Sequence, residues 1–110
     1  EQIRDFIYVK DVTHLLYWFL NNKPQSGIYN LGTGFGRTFN ALAESIFYAL
    51  KLEPQINYIN IPEDIRSQYQ YYTQAEMKKI RKLGYRKQFR PLERSVKEYV
   101  TQYLLKDKIL

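Results

Sequence analysis

The feature that most constrains this chain is the stretch GIYNLGTGFGRTFNALAESI, where an apolar run from Ile28 to Leu31 breaks into glycines and restarts at Thr38 with helical spacing. Gly32, Gly34 and Gly36 allow positive φ and close backbone approach, and the Thr38 hydroxyl can cap a new helix by accepting a backbone N–H. Strand, glycine turn, helix is the resulting expectation, and it places the chain in the alternating α/β class.

The segments on either side extend that unit. Ile3 to Val9 carries β-branched and aromatic residues and predicts a strand that meets a helix cap at Lys10 and Asp11. Val12, Leu15, Leu16, Phe19 and Leu20 then share one helix face until Asn21, Asn22 and Pro24 stop it. Phe39, Leu42, Ala43, Ile46 and Leu50 repeat the spacing, so a second helix runs to about Lys51, before Pro54. INYINI, from Ile56 to Ile61, predicts a third strand, and PEDIRSQYQYY after it reads as a surface loop, the commonest place for binding residues. Thr73 and Glu76 have capping-box spacing at the head of a third helix that Gly84 would close. Pro91 opens a last helix with Leu92, Val96, Tyr99, Val100, Tyr103 and Leu104 on one face.

Composition narrows the chemistry. With 110 residues, 45% of them hydrophobic, the chain holds about one domain's worth of core-forming material. A start at Glu1 that enters a strand within a few residues suggests a segment of something longer. No apolar run approaches membrane-spanning length, so no membrane partner is expected. The absence of cysteine rules out disulfides and thiolate metal sites and leaves the compartment open. The single histidine, His14, sits inside an amphipathic helix and reads as a packed or solvated side chain. A net charge of +6 suits nucleic acid, an anionic surface or a phosphate-bearing small molecule, and charge alone does not choose among them. Lys78, Lys79, Arg81, Lys82, Arg86, Lys87 and Arg90 form a basic cluster whose default reading is a solvated helix face.

The glycines of the turn stand as G-x-G-x-G, whereas the pyrophosphate fingerprint needs its third glycine one position later, and no Walker lysine and serine follow. No serine has a nucleophile-elbow context, no His/carboxylate cluster has metal spacing, and a Tyr-x-x-x-Lys pair is missing. The residues therefore read as a binding segment with no catalytic residues, no cofactor-binding residues and no metal ligands of its own.

RDFIYVKDV, followed by a helix and then GIYNLGTG, resembles the C-terminal third of the extended short-chain dehydrogenase/reductases, whose members act on nucleotide sugars. YQYYTQAEMKKIRKLGY, with PLERSVKEYV after it, is similar to one epimerase branch of that family, and the likeness covers essentially the whole chain. The resemblance implies the edge of a parallel Rossmann-type sheet plus a small, mainly helical substrate-binding domain. It also implies an N-terminal Rossmann domain, outside this chain, that carries NADP and the catalytic tyrosine and lysine. Further implications are an ADP-heptose substrate, a homo-oligomer (a homopentamer) and a cytoplasmic enzyme of lipopolysaccharide core synthesis. By position, Arg4 matches the family's substrate-binding arginine and Tyr69 its substrate-binding tyrosine, with Arg66 and Gln70 as weaker neighbours. The physics agrees, because a guanidinium forks onto a diphosphate and a tyrosine donates to phosphate or ribose oxygens. Phe35 stands in the glycine turn where the family often has a small residue. Two rival readings are a related nucleotide-sugar epimerase or dehydratase and, from another class, a basic nucleic-acid-binding module, which would bind DNA with a steep salt dependence.

Overall fold

A computed structural model describes residues 2–109, which form five helices, a short two-stranded sheet and long irregular connections. Helix α1 (Val9–Asn22) buries Leu15 to 2% exposure and ends where Lys23 turns left-handed at φ 45° and returns its N–H to the Phe19 carbonyl. Pro24 cannot continue the helix. Helix α2 (Phe39–Ala49) begins as expected, with the Thr38 hydroxyl accepting the Ala41 N–H at 3.0 Å. A single turn, α3 (Glu63–Arg66), interrupts the stretch expected to be loop. Helix α4 (Lys78–Lys82) leads to Gly84, whose φ of 107° is the expected left-handed close. Helix α5 (Leu92–Tyr99) continues into a π-helical turn at Val100–Leu104.

Two small cores result. Leu15, Ile80 and Tyr85 are buried together beneath Trp18, Phe19, Tyr29, Leu31, Met77 and Phe89, with Trp18 edge-on to Tyr85 at 5.4 Å. His14 is packed against this core, its Nδ1 3.0 Å from the Tyr85 hydroxyl. The second core lies where α2 packs on α5 and the π turn, around Leu92 and Val100.

The strands differ most from the sequence expectation. Only Ile3–Arg4 (β1) and Arg37–Thr38 (β2) form a ladder, and they pair antiparallel, Ile3 opposite Thr38 and Arg4 opposite Arg37. On its other side β1 meets Tyr72 in one parallel bridge, through Ile3 N–H to the Tyr71 carbonyl at 2.7 Å and Thr73 N–H to the Ile3 carbonyl at 3.0 Å. Ile28 to Leu31 and Ile56 to Ile61 form no ladder, and Ile28 and Ile59 are 87% and 90% exposed. A strand exists only where a neighbour takes its backbone groups, and β-propensity measures fit to that neighbour. The observed architecture is thus mixed, helices with a short antiparallel strand pair, which is compatible with the α/β class, and the described residues form no parallel Rossmann-type sheet.

Two further corrections have local causes. The capping box at Thr73 and Glu76 does not form, because the N–H of Thr73 bonds Ile3 and that of Ala75 bonds the Asp5 carboxylate, which holds this stretch extended until Lys78. Asp11 is not a cap either. The helix starts at Val9, two residues earlier, and Asp11 is buried to 2% exposure, accepting the Arg90 N–H at 2.9 Å with the Arg90 guanidinium beside it at 3.7 Å. A carboxylate that buried must be paired.

The molecule is a slab of 46 × 39 × 20 Å with a radius of gyration of 16.6 Å, where a closed domain of this length would have about 13 Å. No helix of the described residues is long and apolar enough to cross a membrane. Val9, Leu16, Tyr17 and Leu20 nevertheless leave the outer side of α1 apolar and exposed. Exposed apolar faces of this kind drive association. We expect the isolated chain to give a sedimentation mass that rises with concentration, and Leu16→Glu with Leu20→Glu to suppress the rise. A monomer at all concentrations would contradict this.

Candidate functional site

The site is built on the dipeptide Arg4–Asp5, whose side chains point to opposite faces, as successive residues of an extended chain do. Asp5 faces the glycine turn. One of its carboxylate oxygens accepts the Thr33 N–H at 2.8 Å and the Thr33 hydroxyl, and the other accepts the N–H of Gly34 at 2.9 Å and of Ala75 at 3.2 Å. Burial pushes the carboxyl's pKa up, but the hydrogen bonds from Thr33, Gly34 and Ala75 together outweigh it and hold the group below its ordinary value. The turn can approach this closely because residue 32 is glycine. A Cβ there would lie 2.6 Å from the Ala75 Cβ and 2.8 Å from the Asp5 Cγ.

That arrangement decides what the turn can bind. The N–H groups of Thr33 and Gly34 are taken by Asp5, and that of Gly36 by the Gln74 side chain at 3.1 Å. Those amides are not available to a phosphate, which would also face a carboxylate. The glycine turn therefore does not fit NADP, and Phe35, 73% exposed at its tip, is not covered by anything within the chain.

Arg4 faces the other way. Its guanidinium donates to the Ile3 carbonyl at 2.8 Å and the Gln70 carbonyl at 2.5 Å, and its central carbon lies 5.3 Å from the Tyr69 ring centre and 5.8 Å from that of Phe39. Arg4 and Tyr69 are thus brought together from 65 positions apart, with Gln70 engaged through its backbone. Arg66 is exposed and donates to the Ile61 carbonyl at 3.1 Å, bracing its own turn. Of the five N–H groups of a guanidinium, two of Arg4's are spent on carbonyls, which leaves three for an oxyanion. Phe39, the third member of the group, was not singled out by sequence. It is the residue directly after the helix cap, and its place beside Arg4 comes from the pairing of Arg4 with Arg37 two residues before it, which no local spacing announces.

A second polar cluster ties α5 to α1. Glu98 accepts from the Tyr8 hydroxyl at 2.7 Å and lies 3.0 Å from the Lys10 ammonium and 3.6 Å from Arg90. Tyr8 and Lys10 hold the Glu98 carboxyl below its usual range, while burial and the Glu98 charge push the Tyr8 hydroxyl up to about 12. The basic cluster is partly structural rather than wholly solvated. Lys79 donates to the Ile28 carbonyl at 2.6 Å, and Arg81 to the carbonyls of Tyr85 and Lys87, each at 2.8 Å. Among the described residues no group of three or more His, Cys, Asp or Glu is placed to hold a metal.

No protein-family model matches the chain. Curated relatives do. The chain is 48% identical over 103 residues to a protein of Nitratidesulfovibrio vulgaris strain DP4 named ADP-L-glycero-D-manno-heptose-6-epimerase, a match covering 94% of this chain and 32% of that protein. It is 43% identical over 113 residues to one of the same name from Fusobacterium nucleatum subsp. nucleatum, covering 97% of this chain and 34% of that protein. The chain spans about a third of the length of the curated relatives it matches and is homologous to them along nearly all of its own.

The Asp5 contacts give a prediction with a definite sign. A carboxyl whose folded pKa lies below its unfolded value adds stability that is present above the unfolded pKa of 3.8 and is lost as pH falls through the folded value. Asp5→Asn should cost about 2 kcal/mol at pH 7, the size of a lost set of charge-assisted hydrogen bonds. Urea unfolding from pH 7 down to pH 2 should show the difference from wild type narrowing only below about pH 4.

Proposed function

We propose that this chain is the substrate-side, C-terminal portion of an ADP-L-glycero-D-manno-heptose 6-epimerase of the extended short-chain dehydrogenase/reductase family. The observation that carries the reading is the convergence of Arg4 and Tyr69, both half-buried, in a chain homologous to epimerases of that name. The substrate is an ADP-linked heptose whose C6 configuration is inverted for lipopolysaccharide core synthesis in the cytoplasm, by an enzyme assembled as a homo-oligomer. NADP belongs to the part of the protein outside this chain, and no step of the hydride chemistry runs through the residues described here. Their share is binding. The three remaining N–H groups of Arg4 take the diphosphate as a charge-assisted fork, and the Tyr69 hydroxyl donates to a phosphate or ribose oxygen.

Arg4 is suited to that task because it is already oriented. The Ile3 and Gln70 carbonyls anchor the guanidinium, and the ring centres of Tyr69 and Phe39 lie 5.3 and 5.8 Å from its central carbon, so little rotamer freedom remains to be lost when an anion arrives. A nucleic-acid reading finds less support, since Lys79 and Arg81 of the basic cluster are spent on backbone carbonyls of the chain itself.

In the full-length enzyme, Arg4→Ala should raise KM by about ten- to a hundredfold, the loss of a charged hydrogen bond, and Tyr69→Phe by about fivefold, the loss of a neutral one. Both should leave kcat within a few-fold, the sign of binding that is equal in ground and transition states. Steady-state kinetics decides it. A thousandfold fall in kcat at unchanged KM for either variant would assign that residue to the chemistry. NADP titrated calorimetrically into the 110-residue chain alone should release no binding heat.

A further inference from the structure

Next to the Arg4 group, and sharing Phe39 with it, lies a recess of about 350 Å³ lined by Gln2, Phe39, Asn40 and Tyr58. We propose that this recess receives the nucleobase of the nucleoside diphosphate, with the rings of Phe39 and Tyr58 as its stacking surfaces. The assignment rests on the nucleotide-sugar reading above and adds to it a subsite and two positioning residues.

Three observations carry it. The first is adjacency: Phe39 belongs both to the Arg4 group, with the guanidinium carbon 5.8 Å from its ring centre, and to the wall of the recess. A nucleotide whose phosphates lie on the guanidinium therefore has its base directed past Phe39 by the ribose between them. The second is chemistry. Among the described residues, the lining holds two aromatic and two carboxamide residues and no charged one. A flat, neutral heteroaromatic ring with donors and acceptors on its edge matches such a wall, because aromatic faces stack with any base and a carboxamide carries both a donor and an acceptor. A second phosphate or a carboxylate would find no cation there.

The third observation concerns what each ring is doing in the chain as it stands. Phe39 is held firmly, at the first position of α2 behind the Thr38 cap and edge-on to Phe6 with centres 5.4 Å apart. Tyr58, the other aromatic residue of the lining, is 74% exposed and lies in the stretch that forms no ladder. One ring is held by its neighbours and the other is open to solvent. Covering an exposed aromatic ring with a base removes apolar surface from water on both partners, which gives Tyr58 a reason to be aromatic that the fold itself does not supply.

The test uses the full-length protein with NADP saturating its own site, and titrates ADP and inorganic pyrophosphate by calorimetry. Tyr58→Ala should weaken ADP about fivefold to a hundredfold, the loss of one stacked base, and leave pyrophosphate unchanged. Tyr58→Phe, which keeps the ring, should bind ADP as wild type does, and Arg4→Ala should weaken both ligands. Tyr58 is exposed, so its replacement should leave the unfolding temperature unchanged. Wild-type ADP affinity in Tyr58→Ala overturns the assignment. A wild type that prefers another nucleoside diphosphate refutes the adenine half of the functional reading, and loss of that nucleotide in Tyr58→Ala still upholds the recess. A wild type that binds no nucleoside diphosphate overturns both.

Discussion

The carboxylate of Asp5 is the interaction on which the rest depends. It gathers donors from two segments that are remote in sequence, the glycine turn at Thr33 and Gly34 and the stretch at Ala75. Backbone N–H groups in an irregular turn must be satisfied by something, and here one ionised side chain satisfies three of them. The downward direction of its pKa says which effect wins: the hydrogen bonds to the charged form exceed the cost of partial burial. The Gln74 side chain adds a second tie, accepting the Gly36 N–H and donating to the Gly34 carbonyl, and the close approach that results is why a Cβ at residue 32 would collide with Asp5 and Ala75.

A second electrostatic tie closes the other end of the molecule. Asp11 in the first turn of α1 accepts from the Arg90 backbone just ahead of α5, and Glu98 on α5 returns the contact to Tyr8 and Lys10. Negative charge in the first turn of α1 also suits the helix dipole. The Arg90 guanidinium lies between the two carboxylates with one buried nitrogen making no hydrogen bond, and 5.4 Å from the centre of the Tyr8 ring. These are half-exposed pairs for the most part, so their value is in fixing the angle of α5 more than in raw stability.

What the sequence revealed follows from what is local. Helices α1, α2 and α5 were legible because each buries a face at the period of the α-helix, and α1 and α2 run out at the left-handed residues Lys23 and Lys51. The strands were not, since the apolar runs at Ile28 and Ile56 have the composition of strands but no partner within the chain. The helix at Lys78 was misjudged at its start for a related reason. Thr73 and Glu76 have capping spacing, but the neighbouring backbone is committed to Ile3 and Asp5, and long-range hydrogen bonds override a local signal. Of the candidate site, Arg4 and Tyr69 were found by resemblance, whereas the roles of Asp5, Phe39 and Tyr58 depend on contacts no spacing rule encodes. A pair of charged residues, Arg4 and Asp5, set into an apolar extended run was the available hint that one of them is engaged within the fold.

The meeting of Arg4 with Tyr69 rests on one backbone bridge and the reach of a long side chain. The parallel bridge between Ile3 and Tyr72 holds the two segments side by side, and the Arg4 guanidinium reaches back along the second of them to the Gln70 carbonyl and the Tyr69 ring. Because side chains alternate with a period of two, a slip of one residue would turn Arg4 toward the glycine turn and Asp5 toward the solvent edge, exchanging the donor and the acceptor. The slipped state is penalised twice, since the amides of Thr33 and Gly34 would lose their carboxylate and an arginine would be set against them. The structural half of the dipeptide thus protects the placement of the binding half. It also explains why the position calls for arginine and not lysine. An ammonium held by the Ile3 and Gln70 carbonyls would have one of its three donors left and no flat face for Tyr69 and Phe39, whereas a guanidinium can be anchored and still present a fork.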